Sequence, residues 1–358
     1  MAIRELRVSG YRSVRDVTLE LEPVNIIVGP NGSGKTNLYR AMYLLFAAAR
    51  GRFARSIVDE GGMPSALWAG RRGSGPVRMT LGATIEEVEY TLVCGLPPPA
   101  SAAFALDPQL KEETIRFLGG AKPMTLLERG ISSVMARDAD GRRLSYPMSL
   151  DSSESVLAQL REPHRFPQLS LLRQEILNWR FYHHFDTSVQ SPLRSPQVIT
   201  WTPILDHDGR DLASAVATLC HLGNGPDVAE ELEKAFPGAT LAEEAEGNRS
   251  SVGLKMPNFQ RAFTAHELSD GTLRYLCLLA ALLSPRPPTF MALNEPETSL
   301  HPDLLEPLGG LIARAARDTQ LLVTTHSEAL AAHIAAHTGA LPVQLRNVNG
   351  ETRIAPTS

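Results

Sequence analysis

Cysteine is scarce in this chain of 358 residues, which contains three at wide spacings: Cys94, Cys220 and Cys277. An odd number of cysteines so far apart fits neither a disulfide framework nor a zinc-ligand set. The simplest interpretation is a protein of a reducing compartment, and we expect a cytoplasmic location.

Long apolar runs and a signal core are also missing from the sequence. The first ten residues alternate charged and apolar side chains, and the longest apolar run, at residues 276–283, is too short to span a bilayer. The sequence has no internal repeat and no heptad run long enough for a coiled coil. We therefore expect no contact with a membrane.

The composition lacks a strong charge imbalance, since the formal net charge is −4. Nothing in that value attracts the whole molecule to nucleic acid. A hydrophobic content of 43% with 21% charged residues is sufficient for a core and argues against disorder. Residues 50–78 are locally basic, with six arginines against two acidic residues. A solvated loop and a DNA-phosphate contact surface both remain open for this stretch.

Hydrophobic periodicity predicts an α/β fold with a mainly parallel sheet flanked by helices. Alternating patterns near the amino terminus predict an antiparallel sheet, with strands at residues 3–8, 14–21, 77–83 and 86–93. Continuous apolar runs predict buried strands at 24–28, 289–293 and 320–324. Helices are predicted at 37–50, 209–222, 226–236, 273–283, 303–317 and 328–336.

A proline-rich break at residues 96–101 predicts the start of an inserted segment. Short strands and helices are predicted between residues 125 and 179, and an irregular stretch covers 192–203. We predict one domain whose core comprises residues 1–95 and 205–358, with residues 100–203 as an inserted subdomain.

A glycine-rich loop follows the predicted strand at 24–28 and precedes a predicted helix. The loop matches the phosphate-binding pattern G-x-x-x-x-G-K-[ST], although a plain glycine-rich turn is the alternative. Its glycines let several N–H groups converge on one anion, Lys35 can reach the β- and γ-phosphates, and the Thr36 hydroxyl can ligate Mg²⁺. The predicted nucleotide-binding residues here are Gly29, Pro30, Asn31, Gly32, Ser33, Gly34, Lys35, Thr36 and Asn37.

Two later motifs lie at a helix start and at a strand end, where ligands of parallel α/β sheets bind. The sequence Leu-Ser-Asp-Gly-Thr at 268–272 precedes a helix, and Ser269 and Gly271 would contribute to a second anion cradle. The apolar strand at 289–293 is followed by Asn294 and Glu295. Simpler alternatives are a helix cap at Ser269 and solvated charges at the strand end, including Glu297.

A third motif places His326 at the end of the predicted strand 320–324. A satisfied loop histidine is the simpler alternative for it. Other histidines, at 183–184 and 207, lie beside aspartates and suggest a metal site or a nuclease. No second ligand set at useful spacing supports that interpretation.

Together these motifs resemble the ABC-type ATPases, and within them the RecF/SMC/OLD-like branch. The resemblance is carried by residues 3–13 (IRELRVSGYRS), 29–36, 268–272, 294–302 and 324–327, and covers about residues 1–95 and 205–340. It implies a P-loop NTPase fold like an ABC-ATPase head, with ATP and Mg²⁺ as ligands. It also implies a head-to-tail homodimer that encloses two ATP molecules.

The resemblance also implies roles for single residues. Glu295 would orient or deprotonate the attacking water, His326 would sense the γ-phosphate, and Lys35 would hold it. Ser269 and Gly271 would meet the γ-phosphate bound by the other subunit. An arginine in the position of Arg12 lies near the nucleotide in SMC-like heads.

Asn294 departs from the family pattern, which has aspartate at this position. The asparagine keeps an oxygen that could bind Mg²⁺ but lacks the negative charge. The expected metal ligands are thus Thr36 and Asn294. The expected function is an ATP-driven conformational switch in DNA repair, DNA maintenance or defence against foreign DNA, acting on DNA or a partner effector protein. A nucleotide-gated binding module with little turnover and a transporter ATPase subunit are the alternatives.

Overall fold

A computed structural model describes residues 1–71, 75, 77–97, 106–146, 150–246 and 249–355. The chain folds into two compact units, each built from separate segments. The first unit comprises Met1–Glu22, Gly29–Trp179 and Val343–Ser358, and the second comprises Pro23–Val28 and Arg180–Pro342. The predicted inserted subdomain is divided between the units at Trp179, and its existence as a separate subdomain stays a prediction.

The helices and strands follow one another along the described part of the chain. The strands are β1 (Ile3–Tyr11), β2 (Val14–Glu20), β3 (Val24–Val28), β4 (Arg78–Ile85), β5 (Val88–Gly95), β6 (Gln109–Phe117), β7 (Met124–Arg129), β8 (Val134–Arg137), β9 (Arg143–Ser145), β10 (Arg180–Tyr182), β11 (Gln197–Val198), β12 (Thr240–Glu246), β13 (Arg249–Lys255), β14 (Phe263–Thr264), β15 (Phe290–Asn294), β16 (Gln320–Thr325), β17 (Val343–Val348) and β18 (Glu351–Ile354). The α-helices are α1 (Lys35–Arg50), α2 (Phe53–Asp59), α3 (Met63–Ala66), α4 (Val156–Gln159), α5 (Pro167–Leu177), α6 (Leu212–Leu219), α7 (Gly225–Ala235), α8 (Asp270–Leu282), α9 (Leu305–Ala315) and α10 (Glu328–Thr338). No helix within these described ranges has both the length and the apolar character needed to cross a membrane.

The first unit is built on an antiparallel sheet with the strand order β2-β1-β4-β5-β6-β7-β8-β9. Side-chain alternation explains this sheet, since Leu6 and Val8 of β1 are buried while Glu5 and Arg7, which alternate with them, are not. The predicted amino-terminal sheet is thereby confirmed, and it extends further than expected. Strand β6 was not predicted, and by pairing with β5 it joins β7, β8 and β9 to the same sheet.

The long helix α1 and a carboxyl-terminal hairpin complete the first unit. Most residues of α1 are buried, and the helix packs against α2, α4 and α5. The strands β17 and β18 pair as an antiparallel hairpin, and β18 lies against β2. Its last strand reaches the turn after β1, where the Thr352 N–H donates to the Ser13 carbonyl at 2.8 Å.

The second unit contains the predicted parallel sheet, with the strand order β10-β15-β16-β3. The strands are buried on both faces, which accounts for their continuous apolar sequences. Helices α8, α9 and α10 belong to the same hydrophobic core. A smaller antiparallel sheet, β11-β13-β12 with β14 on β13, lies in this unit as well.

Several local predictions differ from the structure. The arginine-rich stretch at 50–78 contains the short helices α2 and α3 rather than a continuous loop. Arg72 and the residues 98–101 of the proline-rich break lie outside the described residues. The helix predicted at 209–222 changes after Leu219 to a π-helical turn, in which Gly223 has a φ of 90°.

Candidate functional site

The glycine-rich loop requires glycine at the positions where the backbone turns most tightly. Gly34 precedes α1 with a φ of 105°, and a Cβ there would lie 2.0 Å from Oγ1 of Thr352. A Cβ on Gly29 would lie 2.6 Å from the Leu345 carbonyl oxygen. Gly32 also has a positive φ, of 81°, but its Cβ position meets nothing within 4 Å. The loop is therefore tightly held at both ends and open at its tip.

Lys35 brings a buried positive charge to the base of this loop. Its side chain is 3% exposed, and Nζ donates to the carbonyl oxygens of Gly29 at 2.6 Å and Pro30 at 3.2 Å. The helix that begins at Lys35 has no side-chain cap, so the positive end of its dipole faces the loop. An open tip, a buried cation and an uncapped helix start suit a bound anion such as a triphosphate.

Polar side chains from distant parts of the first unit fix the loop. Nδ2 of Asn37 donates to Oγ of Ser13 at 2.7 Å, and that hydroxyl is 2.7 Å from Oγ1 of Thr352. Nδ2 of Asn347 donates to the Gly32 carbonyl at 3.1 Å. Sequence reasoning missed Asn347 and Thr352, because no local motif marks side chains more than 300 positions from the loop.

Arg12 is held by a buried carboxylate in the first unit. It has a φ of 48°, and its Nη2 lies 2.9 Å from Oε2 of Glu60, whose side chain is 2% exposed. The Tyr11 hydroxyl donates to the same oxygen at 2.7 Å, and Arg40 lies 3.6 Å from the other oxygen. Burial together with this carboxylate raises the pKa of Tyr11. The nearness of Arg12 to a nucleotide stays a prediction.

In the second unit, Asn294 and Glu295 lie where β15 ends. The Thr324 hydroxyl of β16 donates to Oδ1 of Asn294 at 2.9 Å. Glu295 turns the chain with a φ of 48°, its N–H donates to the Thr324 carbonyl at 2.8 Å, and its own carbonyl accepts from the buried Arg274 at 3.2 Å. The backbone of the expected catalytic glutamate is therefore fixed from two sides.

Glu297 joins this strand end to His326. Its side chain is 6% exposed, so the interpretation of Glu297 as a solvated charge is wrong. Its Oε1 lies 3.1 Å from His326 Nδ1, while Oε2 of Glu295 lies 3.7 Å from the same nitrogen. The structure thus brings Asn294, Glu295 and His326 together at the carboxyl ends of two adjacent strands.

The Leu-Ser-Asp-Gly-Thr motif forms the start of α8. Ser269 is the exposed N-cap residue, and its Oγ accepts from the Thr272 N–H at 3.1 Å. A Cβ on Gly271 would lie 2.5 Å from the carbonyl oxygen of Ser299, so the glycine permits close packing against the turn that follows β15. The capping alternative describes Ser269 in this structure, and its role toward an anion stays a prediction.

Arg194 anchors the motif from outside and was not singled out from the sequence. Its guanidinium is largely buried and donates several hydrogen bonds. The acceptors are the carbonyl oxygens of Ala265 at 3.0 Å, His266 at 3.1 Å and Leu268 at 2.8 Å, and Oδ1 of Asp270 at 2.6 Å. Backbone acceptors leave no sequence pattern, so this contact could not be found before the structure.

The roles of Thr36 and Asn294 as Mg²⁺ ligands stay predictions. Within the described ranges, no group of three or more His, Cys, Asp or Glu side chains could hold a metal ion. Thr36 and Asn294 each offer one neutral oxygen, and Mg²⁺ commonly takes its other ligands from substrate phosphates and water. Among the histidines considered as metal ligands, His207 has its Nδ1 3.2 Å from the Phe181 nitrogen and 3.0 Å from the Phe181 carbonyl oxygen.

Two family models match two separate parts of the chain. Residues 1–74 match a model described as "AAA ATPase domain". Residues 222–332 match one described as "AAA domain, putative AbiEii toxin, Type IV TA system". The first match contains the glycine-rich loop, and the second contains Ser269, Glu295 and His326.

Curated relatives are similar over short segments. The DNA replication and repair protein RecF of Psychromonas ingrahamii is 44% identical over 46 residues, 13% of each chain. The RecF of Stutzerimonas stutzeri is 45% identical over 56 residues, 15% of each chain. The OLD nuclease of Thermus scotoductus is 44% identical over 43 residues, which are 12% of this chain and 8% of that protein. The matched segments thus span less than a fifth of these relatives.

Solved structures of similar fold match over nearly the whole chain. An SMC head bound to the C-terminal winged-helix domain of ScpA gives a TM-score of 0.55 at 14% identity, and covers 99% of this chain and 98% of that one. The SMC head of Pyrococcus furiosus, with an extended coiled coil and the C-terminal domain of ScpA, gives 0.53 at 13% identity, with coverages of 99% and 95%. At such identities the likeness shows the fold, an SMC-head-like P-loop architecture.

Proposed function

We propose that this chain, an ATPase of the RecF/SMC/OLD type, binds ATP with Mg²⁺, hydrolyses it, and uses nucleotide-driven dimerisation as a conformational switch. The family models and the RecF and OLD relatives support nucleotide binding in DNA repair or maintenance. The turnover, the dimer and the pathway are the parts that are proposed.

The register of the parallel strands is the observation that carries the proposal. Thr325 at the end of β16 is the register partner of Val28 at the end of β3, and Asn294 is the partner of Thr324. The next residue after Val28 is Gly29, the first of the glycine-rich loop. We infer that the loop and the polar residues of β15 and β16 act on one triphosphate.

Each residue of this set has a chemical task in the proposed site. Lys35 and the loop N–H groups would bind the phosphates, and Thr36 and Asn294 would hold Mg²⁺, which would neutralise phosphate charge. The Glu295 carboxylate, on a backbone fixed by two hydrogen bonds, would orient the attacking water and accept its proton. His326 would contact the γ-phosphate. Positioning and electrostatics would thus supply the catalysis.

A second copy of the chain is the proposed partner in the switch. Ser269 is exposed at the positive end of the α8 dipole, a place suited to the γ-phosphate bound by another subunit. Gly271 holds that helix start against the Ser299 carbonyl. DNA and a partner effector protein are the proposed targets of the closed dimer.

A nucleotide-gated binding module with little turnover is the second candidate. It is favoured by Asn294, a neutral residue whose oxygen already accepts a hydrogen bond from Thr324. Weak Mg²⁺ binding would slow hydrolysis while leaving nucleotide binding to the loop.

Replacement of Lys35 tests the proposed nucleotide site. We expect Lys35→Ala to lower phosphate release by about 100-fold or more, since the buried cation at the phosphates is lost. ATP affinity should fall in a direct titration. The matched control is Lys122→Ala, since Lys122 is an exposed lysine elsewhere in the first unit. Equal phosphate release by the wild type and the Lys35 variant would reject the assignment of the loop.

A further inference from the structure

Glu297 is a buried carboxylate with an uneven set of partners. Its Oε1 accepts hydrogen bonds from the Thr325 hydroxyl at 2.5 Å and from the backbone N–H of His326 at 3.0 Å. Its Oε2 is buried without a hydrogen-bond partner in the described part of the chain. A buried oxygen without a hydrogen bond destabilises the folded state. The contacts of Oε1 therefore indicate that Glu297 has a role beyond folding.

The contacts around Glu297 indicate where the proton of the His326 ring lies. The Thr325 hydroxyl accepts from the Ser327 N–H at 2.9 Å and therefore directs its own proton at Glu297. A carboxylate only accepts. His326 Nδ1 lies 3.1 Å from the same Oε1, and without a proton on Nδ1 two acceptor atoms would face each other at that distance.

Glu295 does not compete for this nitrogen at hydrogen-bonding distance. Its Oε2 lies 3.7 Å from Nδ1, which is beyond the range of a hydrogen bond. Its side chain is also more exposed than that of Glu297, 27% against 6%. Glu297 is therefore the carboxylate nearer to Nδ1, and Nε2 is the ring nitrogen left for another contact.

We propose that Glu297 is a positioning residue that fixes His326 with a proton on Nδ1 and presents Nε2 to the phosphates. The inference rests on the proposed function, because it concerns the histidine assigned there to the γ-phosphate. A carboxylate behind a functional histidine sets its tautomer and ring orientation. For metal-binding histidines, loss of such a partner lowers affinity or activity by about 10- to 100-fold, and a loss of phosphate release in this range is expected here.

The test measures the protonation of the two His326 ring nitrogens directly, in protein without nucleotide. Long-range ¹H–¹⁵N correlation spectra of the full chain report which ring nitrogen carries the proton, and His326→Gln assigns the signal. The variants are Glu297→Ala, which lacks an acceptor, and Glu297→Gln, whose amide oxygen can still accept from Nδ1–H. Glu328→Ala, which removes an exposed carboxylate two residues after His326, is the matched control.

The expected result is an Nδ1–H ring in the wild type, in Glu297→Gln and in the control, and loss of that state in Glu297→Ala. A wild-type ring with its only proton on Nε2, or an unchanged ring in Glu297→Ala, would overturn the inference. Should Glu297→Ala fail to fold, the wild-type and Glu297→Gln spectra decide. An Nδ1–H ring in a protein that releases no phosphate would reject the proposed hydrolysis and leave the role of Glu297 intact.

Discussion

The Thr324 hydroxyl donates a hydrogen bond to Oδ1 of Asn294 at 2.9 Å and so joins the ends of two neighbouring parallel strands. The pair is buried, and Thr324 is fully inaccessible to solvent. The oxygen that would help to hold Mg²⁺ therefore already has one partner and carries no charge. This pairing bears directly on how fast the proposed ATPase turns over.

Asn294→Asp is expected to raise phosphate release by about 5- to 10-fold, and to lower the Mg²⁺ concentration needed for half-maximal rate. The carboxylate can still accept from Thr324 and adds a charge beside the metal, and a rate change of this size corresponds to about 1 kcal/mol of added transition-state stabilisation. Phosphate release measured against Mg²⁺ concentration checks this, with Asn294→Ala as the opposite control. Identical Mg²⁺ curves for wild type and Asn294→Asp would exclude Asn294 as a metal ligand.

Gly271→Ala is expected to abolish ATP-driven dimerisation in a folded protein. The added methyl group would lie 2.5 Å from the Ser299 carbonyl oxygen, so the start of α8 must shift. Gly310→Ala is the matched control, because its Cβ in α9 meets no atom closer than 3.8 Å. Alanine in that helix should stabilise by about 0.5–1 kcal/mol. Light scattering with ATP and Mg²⁺ gives the readout; normal dimerisation of Gly271→Ala would show that the packing against Ser299 is irrelevant to the switch.

Glu113 in β6 predicts a pH dependence of stability. Burial raises its pKa above the ordinary 4.5, while Ser155, the Val156 N–H, Arg129 and Tyr90 lower it by smaller amounts. The folded state therefore binds more protons than the unfolded state above the ordinary carboxyl range. Its contribution is fully present below that range and is lost as the pH rises through the raised pKa.

Glu113→Gln removes this titration and replaces one of two accepting oxygens, Oε1 for Ser155 and Oε2 for the Val156 N–H, with an amide nitrogen that cannot accept. The variant should be less stable by about 1–3 kcal/mol at low pH, since a buried donor loses its partner. The difference in the free energy of unfolding between the wild type and the variant should narrow as the pH rises above the ordinary carboxyl range. Urea unfolding at several pH values measures it; a difference that stays constant would contradict the raised pKa.

Much of the fold could be predicted because the patterns that matter are local. The buried strands β3, β15 and β16 are continuous apolar runs, and the glycine-rich loop carries its own spacing. Strand β6 was missed because an inward-facing position is occupied by Glu113, which interrupts the apolar alternation. That glutamate is tolerated because Tyr90, Ser155 and Val156 supply its hydrogen bonds from far along the chain.

The residues of the candidate site could likewise be predicted only in part. Glu295 and His326 could be singled out because each follows a buried strand. The parts that fix them could not, because they act through tertiary contacts: Glu297 through its Oε1, and Arg194 through backbone carbonyls. Its burial distinguishes Glu297 from a solvated glutamate, and burial depends on the whole folded chain rather than on the local sequence.

The measurement that tests the central claim most directly is the mass of Glu295→Gln in solution by size-exclusion chromatography with light scattering. The variant keeps the side-chain shape but cannot accept the proton of the attacking water, so bound ATP should persist. With saturating ATP and Mg²⁺ we predict the mass of two chains, and with ADP the mass of one. A Glu295→Gln protein that binds ATP yet keeps the mass of one chain would contradict the nucleotide-driven dimer.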